Sequence, residues 1–133
     1  MMQNASADSA AQPTIVIVDD DVPFLRAAAE LLADRGFRVL GYATSAHDAV
    51  EECRRLRPQG VLLDVWLGDG HGVALAKTLR SDPDPPTIVL ISSDPAAVSP
   101  EQLRASGASA FIPKSQLAHS SLDVFFTGEA SGS

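Results

Sequence analysis

Four short apolar runs in this chain end in residues able to handle charge and phosphate. TIVIV (14–18) runs into Asp19-Asp20-Asp21, GVLL (60–63) into Asp64, TIVLI (87–91) into Ser92-Ser93, and AFIP (110–113) into Lys114. Asp19, Asp20 and Asp64, gathered within a few Å, would repel one another and push at least one pKa upward. A hard divalent cation relieves that repulsion. Mg²⁺ takes oxygen ligands in octahedral array, usually one or two carboxylates completed by backbone carbonyls, waters and phosphate oxygens. Lys114 adds a compact positive charge on a flexible stem and Ser92 a hydroxyl donor, both suited to phosphoryl oxygens. The set describes Mg²⁺-dependent phosphoryl chemistry with an aspartate as nucleophile.

Such chemistry requires the four strand ends to meet, and the chain pattern supplies the means. The apolar runs read as buried strands, and FRVLGY (37–42) as a weaker one. Between them lie amphipathic helical stretches. VPFLRAAAELLADRG (22–36) presents Leu25, Ala28, Ala29 and Leu32 on one face, with Pro23 in its first turn; SAHDAVEECRRLRP (45–58) presents Ala46, Ala49, Val50 and Cys53 and is stopped by Pro58. A Gly-rich turn, WLGDGHG (66–72), leads into a helix over 73–80. SDPDPP (81–86) is irregular, Pro100 to Ser106 is a short helix closed by Gly107, and a last helix is expected over 116–126, anchored by Leu122, Phe125 and Phe126. Five strands alternating with five helices predict an α/β, doubly wound, five-stranded parallel sheet covered on both faces, because parallel neighbours need a crossover between them. In such sheets ligands bind beyond the carboxyl ends of the strands, where strand order reverses. The second strand ends at Ala43-Thr44 with nothing ionisable, while the other four deliver polar groups at the same edge, which makes it the outer strand of the order 2-1-3-4-5 and puts one site over strands one and three.

Composition narrows the rest. The 133 residues include 45% hydrophobic and 20% charged types, enough for one domain with its own core and without disulfide or metal staples. Ten Lys+Arg against seventeen Asp+Glu leave a net charge of −7, which repels phosphate backbones and anionic lipid surfaces; neither direct nucleic-acid binding nor membrane association is expected. No apolar run approaches the ~20 residues of a membrane span. Residues 1–13 lack the basic and apolar parts of a secretory signal, and with the lone Cys53 the expected location is a reducing cytoplasm. Residues 1–13 and 127–133 read as flexible tails around a domain at 14–126.

At this point the motifs resemble one family. IVIVDDD, GVLLDVWLGDGHG, VLISSD and AFIPKS, in this order at strand ends, resemble the receiver domain of bacterial two-component response regulators, the CheY-like, flavodoxin-like superfamily, over about residues 14–126. The resemblance implies Asp64 as the phospho-accepting aspartate, which becomes an aspartyl phosphate. It implies Asp19, Asp20, Asp64 and the backbone carbonyl of Trp66 as Mg²⁺ ligands, Lys114 as the catalytic lysine, Ser92 as the switch hydroxyl and Phe111 as the switch aromatic. It implies a sensor histidine kinase, a phosphotransfer protein or a small phosphodonor such as acetyl phosphate as the source of phosphate. It also implies a surface of the fourth helix, fifth strand and fifth helix that changes on phosphorylation, read by a homodimer partner or an effector domain. Self-catalysed phosphorylation and dephosphorylation, rather than turnover of a metabolite, is the activity so implied. No output domain is read in this chain, although FIPKSQL is similar to receivers that precede helix-turn-helix DNA-binding domains.

The chain departs from that pattern in places. Gly68 stands where most receivers have proline, so a looser turn is expected. Trp66 is bulkier than usual and is expected to overhang the acidic site, restrict the attacking water and lengthen the phosphorylated lifetime. Ser93 replaces a common alanine. Ser115 replaces the proline that commonly follows the lysine behind a cis bond, leaving the isomer of Lys114–Ser115 open. Taken singly, these residues have plainer readings: an acid pair after a strand is commonly a helix cap, the role assigned to Asp21, and Phe111 a core aromatic. Cys53 reads as a small buried hydrophobe, His71 as a solvated loop residue, and Arg54, Arg55 and Arg57 as a polar helix face. Two alternatives of other classes remain: a degenerate receiver acting as a protein-docking module, and a haloacid-dehalogenase-type phosphatase, whose DxD motif fits the spacing around Asp19 and Asp21 poorly.

Overall fold

A computed structural model of the chain describes residues 12–126. It contains strands β1 (Thr14–Val18), β2 (Arg38–Ala43), β3 (Gly60–Asp64), β4 (Trp66–Leu67), β5 (Gly70–His71), β6 (Thr87–Ser92) and β7 (Ala110–Pro113). The helices are α1 (Val22–Asp34), α2 (Ala46–Leu56), α3 (Gly72–Arg80), α4 (Pro100–Ser106), a 3₁₀ helix at Lys114–His119, and a single α-turn, α5 (Asp123–Phe126). The main sheet has the order β2-β1-β3-β6-β7, and every pairing within it is parallel. Renumbered without the small hairpin, this is the predicted 2-1-3-4-5.

The apolar runs work because a strand alternates its side chains between two faces that are both covered. Val16, Val18, Val61, Leu63, Ile88 and Leu90 pack under α2 and α3 with Ala49, Cys53, Leu75, Ala76 and Leu79. The intervening Ile15, Ile17, Leu62, Val89, Ile91 and Ile112 pack against α1 and the C-terminal segment with Leu25, Ala28, Leu32, Leu117, Leu122 and Phe126. β2 reads weakly because it is an edge, paired only with β1, and its register slips between Ile15 and Val16.

Helix ends follow local chemistry. Asp21 caps α1 by accepting from Phe24 N, Ser45 caps α2, and Ser99 with Gln102 closes a capping box on α4. The limits differ from the predicted ones by one or two residues: α1 ends at Asp34, β2 is shifted by one, α2 spans 46–56 and α3 starts at Gly72.

Larger differences arise where distant parts of the chain meet. The helix expected over 116–126 is broken into the 3₁₀ helix and α5, with Ser120 extended at φ −93° and ψ 148°. The Arg35 guanidinium donates to Ser120 O at 2.6 Å and also to Ala118 O. Those carbonyls would have to serve later N–H groups in a continuous helix, so the cation that follows α1 stabilises the break. The turn at 66–72 contains the antiparallel β4–β5 hairpin. Pro13, assigned by composition to the N-terminal tail, is buried, and its carbonyl accepts from Arg38 N at 2.8 Å. The tail expectations for 1–11 and 127–133 lie outside the described residues. No peptide bond among the described residues is cis, so Lys114–Ser115 is trans.

Candidate functional site

At the carboxyl edge of the sheet, β1 and β3 lie side by side and deliver their terminal aspartates to one place. Each of Asp19, Asp20 and Asp64 has a carboxylate oxygen within 4.8 Å of the others. Asp19 is wholly buried and Asp64 is 5% exposed, while Asp20 faces solvent. Lys114, immediately after β7, reaches across: its Nζ lies 2.7 Å from Asp19 Oδ2 and 4.0 Å from Asp64 Oδ1. Ser92, at the end of β6, is buried, and its Oγ accepts from Asp94 N at 3.1 Å without using its own proton.

The two oxygens of Asp19 differ. Oδ1 accepts from Asp21 N at 2.9 Å; Oδ2 is buried, has no hydrogen bond of acceptable geometry, and has only the ammonium of Lys114 as counter-charge. A buried carboxylate oxygen left in this way is costly. Removing Lys114 alone would expose the full cost of that uncompensated charge. Burial is the largest cause that pushes the Asp64 carboxyl up to about 6, followed by the charge of Asp19, against the lowering influence of Lys114 and the Trp66 N–H; Asp20 adds a smaller raise. A buried anionic oxygen with one ammonium as its counter-charge, beside two further carboxylates, is a donor set for a hard cation with oxygen ligands, and the residues therefore fit Mg²⁺.

The loop after Asp64 is pinned at its base. Val65 N donates to Ile91 O at 2.9 Å and Gly72 N to Val65 O at 2.6 Å. This closeness demands glycine at 72: a Cβ there would stand 2.5 Å from Asp64 O and 2.7 Å from Val65 Cα. Trp66 is 54% exposed, and its ring meets His71 edge-on, centroids 4.6 Å apart. His71 is not the free loop residue expected: it is half-buried and caps α3, its Nδ1 accepting from Val73 N at 3.1 Å. Phe111 is half-buried in β7 and packs on the core beneath α2 and α3. Cys53 is buried, and burial with the nearby Glu52 pushes its thiol up to about 11, out of reactive range.

The geometry thus brings Asp19, Asp20, Asp64 and Lys114 together at the ends of adjacent strands. It adds residues that sequence reasoning missed. The Phe24 ring lies 4.4 Å from Lys114 Nζ, a cation–π contact that helps hold the ammonium in place. Asp69, at the hairpin tip, accepts from Ala46 N at 2.7 Å and His47 N at 3.2 Å. Phe24 lies within the helix that follows the acids but carries no motif, and nothing local to Asp69 signals a bond to a helix 23 residues earlier.

Comparison with known proteins identifies the family. Residues 15–122 match the family model of the response regulator receiver domain. The chain is 31% identical over 101 residues to the chemotaxis protein CheY of Thermotoga maritima, a match covering 74% of this chain and 83% of that protein. It is 32% identical over 104 residues to a protein-glutamate methylesterase/protein-glutamine glutaminase of Idiomarina loihiensis, covering 75% of this chain but only 26% of that protein. The chain therefore spans about a quarter of the methylesterase's length. Among solved structures, the BeF3-activated N-terminal receiver domain of Klebsiella pneumoniae RstA aligns with a TM-score of 0.67 at 31% identity, covering 76% of this chain and 85% of that one. None of the described helices is long and apolar enough to cross a membrane. With the fold, the strand-end residues and a family match over most of its length, this chain belongs to the response regulator receiver domains.

Proposed function

We propose that residues 14–126 form a phospho-accepting signalling switch in which Asp64 takes up a phosphoryl group. The observation that carries this reading is the buried Asp19 Oδ2, with no hydrogen bond of its own, beside Asp64 and under the reach of Lys114. Asp19, Asp20, Asp64 and the Trp66 carbonyl would hold Mg²⁺. When bound, the ion neutralises negative charge on the carboxylates and on phosphoryl oxygens.

A carboxylate oxygen of Asp64 attacks phosphorus as the bond from phosphorus to the donor's leaving atom breaks, the electron pair leaving with the donor's imidazole or acetate. An O–P bond forms and Asp64 becomes an acyl phosphate. Lys114, paired with Asp19 and with its Nζ 4.0 Å from Asp64 Oδ1, offers its ammonium to the phosphoryl oxygens, which stabilises charge that grows during transfer. Ser92 turns its free hydroxyl hydrogen toward the new phosphate, and Phe111 shifts into the space given up, altering the face formed by α4, β7 and the segment after it. The Trp66 side chain shields the acyl phosphate from water and prolongs it. The phosphoryl donor is a sensor histidine kinase, a phosphotransfer protein or a small acyl phosphate, and the altered face is read by an effector domain or a second copy.

The test is incubation with acetyl phosphate and Mg²⁺ followed by intact-mass measurement. A stoichiometric, acid-labile gain of one phosphoryl group, absent from Asp64→Asn and from chelator-treated protein, is the expected result. No gain in the wild type would instead favour a docking module that never carries phosphate.

A further inference from the structure

We infer that Asp69 is a positioning residue, a clamp that fixes the loop carrying the Trp66 carbonyl by tying its tip to the N-terminus of α2. The inference deepens the reading above and rests on it for its link to Mg²⁺. Two independent sets of contacts converge on the loop. At its base, Val65 N donates to Ile91 O and Gly72 N donates to Val65 O. At its tip, Asp69 occupies the two-residue turn between β4 and β5, where Trp66 pairs with His71 and Leu67 with Gly70. The Asp69 carboxylate accepts the first two N–H groups of α2, from Ala46 and His47. Ser45 Oγ takes the third, from Asp48, at 3.1 Å.

A helix leaves its first N–H groups without partners inside the helix, and their partial positive charge favours an anion. Asp69 supplies that anion from across the molecule, although it is itself exposed. The two N–H bonds hold its carboxyl below the usual carboxylate range, so it stays ionised at neutral pH. The clamp stands where the family resemblance places a stiff proline and this chain has Gly68. Gly68 has no heavy atom within 4 Å of where a Cβ would stand, so packing does not restrain it. Asp69, the next residue, supplies the restraint instead. Trp66 lies between pinned base and pinned tip, so freeing the tip blurs the position of its carbonyl and weakens any ion that depends on it.

The experiment compares Asp69→Ala with Ser45→Ala in the full chain, after circular dichroism confirms both fold. Each removes capping from α2, but only the first releases the loop. Mg²⁺ is titrated against the fluorescence of Trp66, the single tryptophan, and hydrogen exchange is followed at the amides of 66–71. Asp69→Ala is expected to weaken Mg²⁺ by about tenfold and to speed exchange in the loop, Asp69→Asn to be intermediate, and Ser45→Ala to leave both near wild type. Equal effects of Asp69→Ala and Ser45→Ala, or unchanged loop exchange in Asp69→Ala, would overturn the clamp. If wild-type protein is silent to Mg²⁺, the metal-site reading fails, and loop exchange alone still decides for or against the clamp.

Discussion

Asp64 is held at the end of a buried strand, and its carboxyl, pushed up to about 6 by burial and then by Asp19, titrates above the ordinary value of 3.8. The folded state therefore binds this proton more tightly than the unfolded state. Its stabilising contribution is complete below about pH 4, fades as pH rises through about 6, and is absent at neutral pH. A shift of this size corresponds to something on the order of 2 kcal/mol once sharing with Asp19 and Lys114 is allowed for. In metal-free buffer, Asp64→Asn should be more stable than wild type at pH 7.5 by about that amount, and the gap should shrink toward pH 4.5. Urea unfolding of both proteins across this range checks it; parallel stability curves would show that Asp64 ionises without strain. The same repulsion that makes the ionised site costly is what a bound cation relieves, so the residue's instability and its chemistry have one source.

Among the elements, the loop from Asp64 to Gly72 depends on a single atom's absence. A Cβ at position 72 would collide with the Asp64 carbonyl and Val65 Cα, and neither is the end of a flexible side chain that could move aside. Gly72→Ala should therefore destabilise the fold by about 2 kcal/mol and displace the Asp64 backbone, lowering acetyl phosphate labelling severalfold more than its loss of stability accounts for. Measuring both in one preparation separates the two effects, and a variant that labels at the wild-type rate would remove the steric argument. The break after the 3₁₀ helix is governed differently. Arg35 takes carbonyls that a continuous helix would use, and the interruption lets Leu117, Leu122 and Phe126 all reach the same buried layer.

For the molecule as a whole, the acidic cluster lies at one edge of a sheet whose two faces are closed by core. A ligand that binds only the folded site stabilises the entire fold, by about 2.7 kcal/mol at a hundredfold excess over its dissociation constant. Mg²⁺ should accordingly raise the melting temperature by several degrees, and Asp19→Asn should abolish the rise. A thermal scan with and without the ion checks this; an equal rise in both proteins would place the ion elsewhere. The strand order and both core layers were legible in the sequence because continuous β-branched runs, helical apolar rows and helix caps are local signals. Asp19, Asp20, Asp64 and Lys114 were legible too, because each stands at a strand end and parallel strands end on one side. What only the tertiary structure decided are the Arg35 break, the Asp69 clamp, the cap made by His71 and the Phe24 face under Lys114. Each is a contact between side chains and groups whose meeting depends on how the layers pack or how a loop folds back, and no local periodicity encodes such a meeting.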